Sequence, residues 1–141
     1  MKIVCIPAYN EEIKINGIVK KSLPYADKVI VCDDGSTDDT AALAKKAGAV
    51  VISHEKNQGY GAAISTLFDY CRKNNAEIMV TLDGDGQHNP DQIPDLINVI
   101  LKHKVDVVIG SRSLKDDKDL PSYRRTGIKI ITSTINSATN L

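Results

Sequence analysis

The residues of this chain whose types and spacing best suit chemistry lie in the run IMVTLDGDGQHNP, Ile78 to Pro90. Four β-prone residues, Ile78 to Thr81, lead through Leu82 into Asp83-Gly84-Asp85, so a buried strand is expected to end by projecting two carboxylates from one sheet edge. Strand residues two apart point the same way. Asp83 and Asp85 then converge, and two carboxylates held that close repel unless a cation or a shared proton lies between them. A hard divalent ion is the simplest partner. Gly84 and Gly86 leave room for a bulky ligand, Gln87 is a candidate third ligand, and His88 is a polar neighbour. The alternative is a bare turn, because Asp-Gly pairs form turns readily. A calcium EF-hand loop is excluded: counting from Asp83, the sixth place is His88 rather than Gly and the twelfth is Pro94 rather than Glu.

The elements that must position these acids can be read on either side of them. Lys2 to Ile6 is an apolar run that Pro7 is expected to stop, since proline donates nothing to a ladder. Asn10 is a candidate N-cap for a helix through about Ser22, with Glu11 and Glu12 in its first turn. The second strand, Lys28 to Cys32, ends in Asp33-Asp34, and Ser36 or Thr37 is the expected cap of a helix that Gly48 terminates. Ala49 to Ser53 is the third strand. Beyond the loop from His54 to Gly59, Ala62, Ala63, Ile64, Leu67, Phe68 and Cys71 recur at helical spacing. After the fourth strand, Asp91 starts a helix with Ile93, Leu96, Ile97, Ile100 and Leu101 inward. Val105 to Ile109 is the expected fifth strand, followed by Gly110-Ser111-Arg112.

Strand and helix alternate five times with short connections, the pattern of an α/β fold with a mostly parallel sheet and helices on both faces. Ligands of such sheets bind beyond the carboxyl ends of the strands. Those ends carry Tyr9-Asn10-Glu11, Asp33-Asp34, the Asn57-Gln58-Gly59 loop, Asp83-x-Asp85 and Ser111-Arg112. An acid ending the second strand, Asp33 or Asp34, suits a ribose or base, with turn capping as the alternative role.

Composition narrows the classes. The 141 residues suffice for one domain with a core, and 42% hydrophobic and 26% charged are globular values. Eighteen basic and eighteen acidic residues cancel, so no global field favours nucleic acid. No apolar run reaches the length of a membrane span and the N-terminus is too short in apolar residues for a signal peptide, so a cytoplasmic chain is expected. Cys5, Cys32 and Cys71 lie far apart and read as buried, reduced thiols. The turn after the first strand is Pro7-Ala8-Tyr9-Asn10, which is no dinucleotide phosphate loop, and no Walker lysine motif occurs. A dehalogenase-type phosphatase would carry its Asp-x-Asp on the first strand, not the fourth.

Five motifs in order, Pro7-Ala8-Tyr9-Asn10-Glu11-Glu12, Asp33-Asp34-Gly35-Ser36-Thr37-Asp38, Asn57-x-Gly59-x-Gly61, Asp83-Gly84-Asp85-Gly86-Gln87-His88 and Gly110-Ser111-Arg112, resemble those of a family 2 glycosyltransferase. The resemblance implies the GT-A fold, a Rossmann-like nucleotide-diphospho-sugar transferase, and is strongest toward dolichol-phosphate mannose synthases and other polyprenyl-phosphate glycosyltransferases. By that resemblance Tyr9, Asn10, Glu11, Asp33 and Asp34 seat the nucleoside of a GDP- or UDP-hexose, with Pro7 and Gly59 in the same donor-binding set. Asp83, Asp85 and Gln87 surround Mn²⁺ or Mg²⁺, Asp85 and Arg112 are the implied catalytic pair, and Arg124 or Arg125 lies near a phosphate.

The implied reaction is inverting hexose transfer to an acceptor, a lipid phosphate at the cytoplasmic face of a membrane. Family members continue past this length. Residues 1–141 therefore read as one domain, the N-terminal donor-binding portion, with 123–141 an amphipathic helix leading toward an acceptor segment. A nucleotide-sugar-binding module without turnover is the alternative activity.

Overall fold

The computed structural model describes residues 1–110; Ser111, Arg112, Arg124, Arg125 and the expected helix over 123–141 lie outside the described residues. The chain divides into two compact units, Met1–Val108 and Ile109–Leu141, and the elements below belong to the first. Strands β1 (Lys2–Ala8), β2 (Lys28–Asp33), β3 (Val50–Ser53) and β4 (Ile78–Thr81) are followed in turn by helices α1 (Ile15–Ser22), α2 (Thr40–Lys46), α3 (Tyr60–Lys73) and α4 (Ile93–His103). All four strands pair in parallel, in the order β3-β2-β1-β4. The expected α/β class with a parallel sheet is borne out.

Helices cover both faces, because alternate residues of the central strands feed two cores. Val4, Ile6, Val29 and Val31 pack with Ile15 and Val19 of α1 and with Ile93 and Ile97 of α4. Ile3, Cys5, Ile30 and Cys32 pack with Ala63, Leu67 and Cys71 of α3. Burying each Ile, Leu or Val contributes about 1.5–3 kcal/mol relative to exposure. A one-residue slip would exchange the two faces, so burial fixes the register Val4↔Val29 and Val4↔Val80. The three cysteines are free and buried, as expected. Among the described residues no helix is long and apolar enough to cross a membrane.

Several boundaries depart from expectation for physical reasons. Pro7 does not stop β1; it pairs with Cys32 inside the strand. The Cys5 carbonyl accepts from Leu82 N on the β4 side, and Pro7, two residues on, faces the same way. Because β4 has ended at Thr81, the missing N–H of Pro7 costs no ladder bond. α1 begins at Ile15, with Lys14 rather than Asn10 at its cap and no acid in its first turn. α2 is held at its start by Asp38, whose Oδ1 accepts from Thr40 N at 3.0 Å and from the Thr40 hydroxyl, not by Ser36 or Thr37.

Farther along, a 3₁₀ turn, Pro90–Gln92, precedes α4, and Asn89 Oδ1 accepts from Asp91 N. Leu101 faces outward at 58% exposure. No strand forms over residues 105–110. A run of β-branched residues supplies strand propensity, but a strand exists only where a neighbour takes its backbone groups, and Val107 is largely exposed.

Candidate functional site

The strand order sets the location of the site. The chain runs from β1 outward through β2 to β3, then returns to place β4 on the other side of β1. A crevice opens where the winding reverses, beyond the carboxyl ends of β1 and β4. There a cavity of about 420 Å³ is lined from β1 by Pro7, Ala8 and Tyr9 and from the β4 exit by Asp83, Gly84 and Asp85. Glu11, Asp34, Asn57, Gly59, Tyr60 and Ala63 complete its walls.

Close approach of the two exits depends on Gly84. A Cβ there would lie 3.1 Å from Pro7 O and 3.3 Å from Ala8 Cβ. On the other side, Gly35 adopts φ +72°, and a Cβ would meet Lys56 C at 2.5 Å and Asn57 N at 2.6 Å, so the β2 exit lies directly against the loop before α3.

Side chains then lace the exit loops together. Asn10, at φ 55°, donates its N–H to Ser36 Oγ at 2.9 Å and accepts from Thr37 N at 2.9 Å. Glu11 N donates to Thr40 Oγ1 at 2.7 Å and Glu12 N to Asp38 Oδ2 at 3.2 Å. Asn10 therefore joins the β1 exit to the β2 exit and does not line the cavity. Asp33 is likewise spent on structure: buried in β2, it accepts from Ser36 N.

Asp34 does line the cavity, though it is only 3% exposed. Its Oδ1 accepts from Gln58 N at 3.0 Å and lies 2.7 Å from His54 Nδ1, while Oδ2 accepts from Gly59 N at 2.8 Å. Burial by itself raises its pKa. The Gln58 N–H, the His54 ring and the Gly59 N–H outweigh that and hold the carboxyl below its ordinary value, so it stays ionised.

The two acids after β4 converge by a turn rather than by strand alternation, since β4 ends at Thr81 and Gly84 and Asp85 form the turn. Tyr60 donates its hydroxyl to Asp83 Oδ1 at 3.2 Å. Asp85 Oδ1 accepts from Gln87 N at 2.9 Å, and Lys14 Nζ donates to the Asp85 carbonyl at 2.6 Å. His88 Nδ1 accepts the Asp83 N–H at 3.2 Å, which leaves it no proton for Asp83 Oδ2, 3.6 Å away. Gln87 lines a neighbouring groove with Lys14, Lys21 and His88 rather than this cavity.

The pair fits a hard divalent cation. Both acids line one cavity, and among the described residues no Lys or Arg side chain pairs with either carboxylate. Among the same residues no group of three or more His, Cys, Asp or Glu surrounds one point. Among the described residues the carboxylates available to such a site are these two, a donor set that suits magnesium-type ions, which take other ligands from water and phosphate oxygens.

Of the donor-binding residues expected from sequence, the cavity brings together Pro7, Tyr9, Glu11, Asp34, Gly59 and Asp83, with Asp85 beside them. Asn57 belongs to the rim loop expected from sequence, whereas Tyr60 and His54 lie outside the expected set. Each follows the end of β3 or begins α3, so the rule that strand ends carry the site reaches all three.

A parallel sheet with an acid-lined crevice at its winding reversal defines a doubly wound α/β architecture. The family model for glycosyl transferase family 2 matches residues 3–140. The chain is 34% identical over 142 residues to a UDP-N-acetylglucosamine–dolichyl-phosphate N-acetylglucosaminyltransferase of Methanococcus voltae, covering 86% of this chain and 57% of that protein. It is 30% identical over 150 residues to an undecaprenyl-phosphate 4-deoxy-4-formamido-L-arabinose transferase of Pseudomonas fluorescens, covering 98% and 42%.

Among solved structures, glucosyl-3-phosphoglycerate synthase from Mycobacterium tuberculosis in complex with Mn²⁺, UDP-glucose and phosphoglyceric acid superposes with a TM-score of 0.61. It is 32% identical and covers 72% of this chain and 39% of that one. The chain belongs to glycosyl transferase family 2, and the GT-A fold that its motifs imply is borne out. It spans about half the length of these two curated relatives.

Proposed function

We propose that this chain carries the donor site of a metal-dependent, inverting glycosyltransferase that moves a hexose from a nucleotide diphosphate sugar to a polyprenyl phosphate. The observation that carries the reading is one cavity, of a size that suits a nucleotide, with a polar and aromatic wall on one side and paired carboxylates on the other. UDP-hexose is the first donor to test and GDP-hexose the second, because the superposed synthase is a UDP-glucose complex. The lipid-phosphate acceptor is supported by the dolichyl- and undecaprenyl-phosphate transferases among the relatives.

In this reading Tyr9, 45% exposed, offers its ring to the base, and Glu11 and Asp34 bound the nucleoside end of the cavity. Asp83 and Asp85 hold Mn²⁺ or Mg²⁺. Two bare carboxylates would repel a diphosphate; an ion held by Asp83 and Asp85 would supply the charge that binds the donor and favours departure of the nucleoside diphosphate. Lys14 and the Gln87 N–H fix the turn that aims Asp85. Arg112, outside the described residues, assists as charge develops on the leaving group.

An acceptor phosphate oxygen forms a bond to the anomeric carbon as the bond to the diphosphate breaks, which inverts that carbon. Such a phosphate is ionised near neutral pH, so no strong general base is required. The protein would work at the cytoplasmic face of a membrane. Incubation with radiolabelled UDP- or GDP-hexose and a short polyprenyl phosphate tests the reading. Label in the lipid fraction, dependent on Mn²⁺ or Mg²⁺, is expected; donor binding with no lipid product would reduce the chain to a nucleotide-sugar-binding module.

A further inference from the structure

We infer that His54 is a positioning residue of the donor site: acting through Asp34, it sets the backbone of Gln58 and Gly59 at the cavity wall. The inference rests on the donor-site reading above. His54 directly follows β3, and its side chain is 11% exposed. Its Nδ1 lies 2.7 Å from Asp34 Oδ1, and its Nε2 lies 2.9 Å from Thr66 Oγ1 on α3 and 3.6 Å from Cys32 Sγ. An ionised carboxylate only accepts, so Nδ1 carries the proton toward Asp34, while Nε2 shares a hydrogen bond with the Thr66 hydroxyl. Both ring nitrogens are therefore committed. The His54 backbone is anchored as well, its N–H donating to Asp33 O at 2.9 Å.

Asp34 is the pivot of this chain of bonds. On one side it meets the imidazole; on the other it receives the N–H groups of Gln58 and Gly59. Asp34 and Gly59 line the cavity and His54 stands behind them. A histidine that merely filled the core would have no reason to point at a cavity-lining acid that itself holds a loop. Without the ring, Asp34 keeps its two amide donors but loses the side chain that fixes its rotation.

The test uses the full chain with His54→Ala, His54→Asn and Thr66→Val. Two quantities are read: amide exchange at Gln58 and Gly59 in the free protein, and affinity for UDP and for GDP in Mn²⁺. His54→Ala is expected to speed exchange at both amides by about tenfold or more and to weaken the nucleotide that binds by a similar factor, with β1 and β2 amides unchanged. Asn carries an amide N–H near the Nδ1 position, so His54→Asn restores both readouts to within about threefold. Thr66→Val falls between.

Unchanged loop exchange in His54→Ala, or an Asn variant that folds yet behaves like Ala, overturns the inference. If His54→Ala does not fold, the Asn and Thr66→Val chains carry the same test. Absence of nucleotide binding by the unsubstituted chain would refute the donor reading instead, while the exchange data still decide whether His54 holds the loop.

Discussion

Tyr60, the first residue of α3, donates its hydroxyl to Asp83 Oδ1 across 3.2 Å. The helix that follows the Asn57–Gly59 loop thereby reaches across the cavity to the acid at the β4 exit. Partial burial, then the Asp83 charge and the hydrogen bond, raise the phenol above its ordinary 10.0. It therefore remains a donor at neutral pH. A hydrogen bond of this kind is worth about 0.5–1.5 kcal/mol. Tyr60→Phe is expected to weaken Mn²⁺-dependent nucleotide binding by about three- to tenfold and to cost the fold no more than about 0.5–1.5 kcal/mol. Calorimetric titration checks it, and unaltered affinity would show that Asp83 needs no such support.

Two glycines should respond to alanine in opposite directions. At Gly84 the new Cβ presses on Pro7 O and Ala8 Cβ, so Gly84→Ala should cost about 1–3 kcal/mol. At Gly17, exposed in α1, nothing lies within 4 Å of the Cβ position. Gly17→Ala should then gain about 0.5–1 kcal/mol from helix propensity alone. Urea unfolding of both variants reads the difference directly.

Acid should loosen the β2 exit in a defined order. The Asp34 carboxyl is held below its ordinary 3.8 in the fold, so on acidification the unfolded chain takes up that proton first. Its contribution to stability is complete above 3.8 and is lost as pH falls through the lower folded value. Asp38, held low by Thr40 and by the Glu12 N–H against the effect of burial, acts in the same direction. The urea midpoint should be flat in this respect near neutrality and fall below about pH 4. The gap between the parent chain and Asp34→Asn should close over the same range. A gap that persists at the acid end would mean that the Asp34 charge is not what ties the loop.

The framework of the fold was legible because each strand is a short apolar run stopped by acids, glycine or a polar loop, and each helix carries its apolar residues at helical spacing. What was not legible depends on partners distant in sequence. Asn10 has the chemistry of a cap and spends it on Thr37, 27 residues away. Pro7 has the chemistry of a strand end, yet only the early end of β4 shows that its missing N–H faces no partner. Asp38, one residue before the cap position, holds the start of α2 through Thr40, where Ser36 or Thr37 is the expected cap.

The candidate site was legible to about the same depth. Asp83 and Asp85 were picked out by their spacing, and the structure brings them to one cavity by a turn that strand alternation did not anticipate. Asp33 and Asp34 look alike in sequence. Only their positions at the end of β2, one inside the strand and one past it, separate a buried acid bonded to Ser36 from one that lines the cavity.

If Asp83 and Asp85 present a divalent ion to the diphosphate of a bound nucleotide, binding must depend on both the metal and the carboxylates. Calorimetric titration of UDP and GDP into the chain with Mn²⁺, with chelator, and into Asp85→Ala tests it most directly. Binding of one nucleotide in Mn²⁺, lost with chelator and lost in Asp85→Ala, is the expected result. Equal binding under chelation or by the variant, or no binding of either nucleotide by a chain whose fold is verified by circular dichroism, would contradict it.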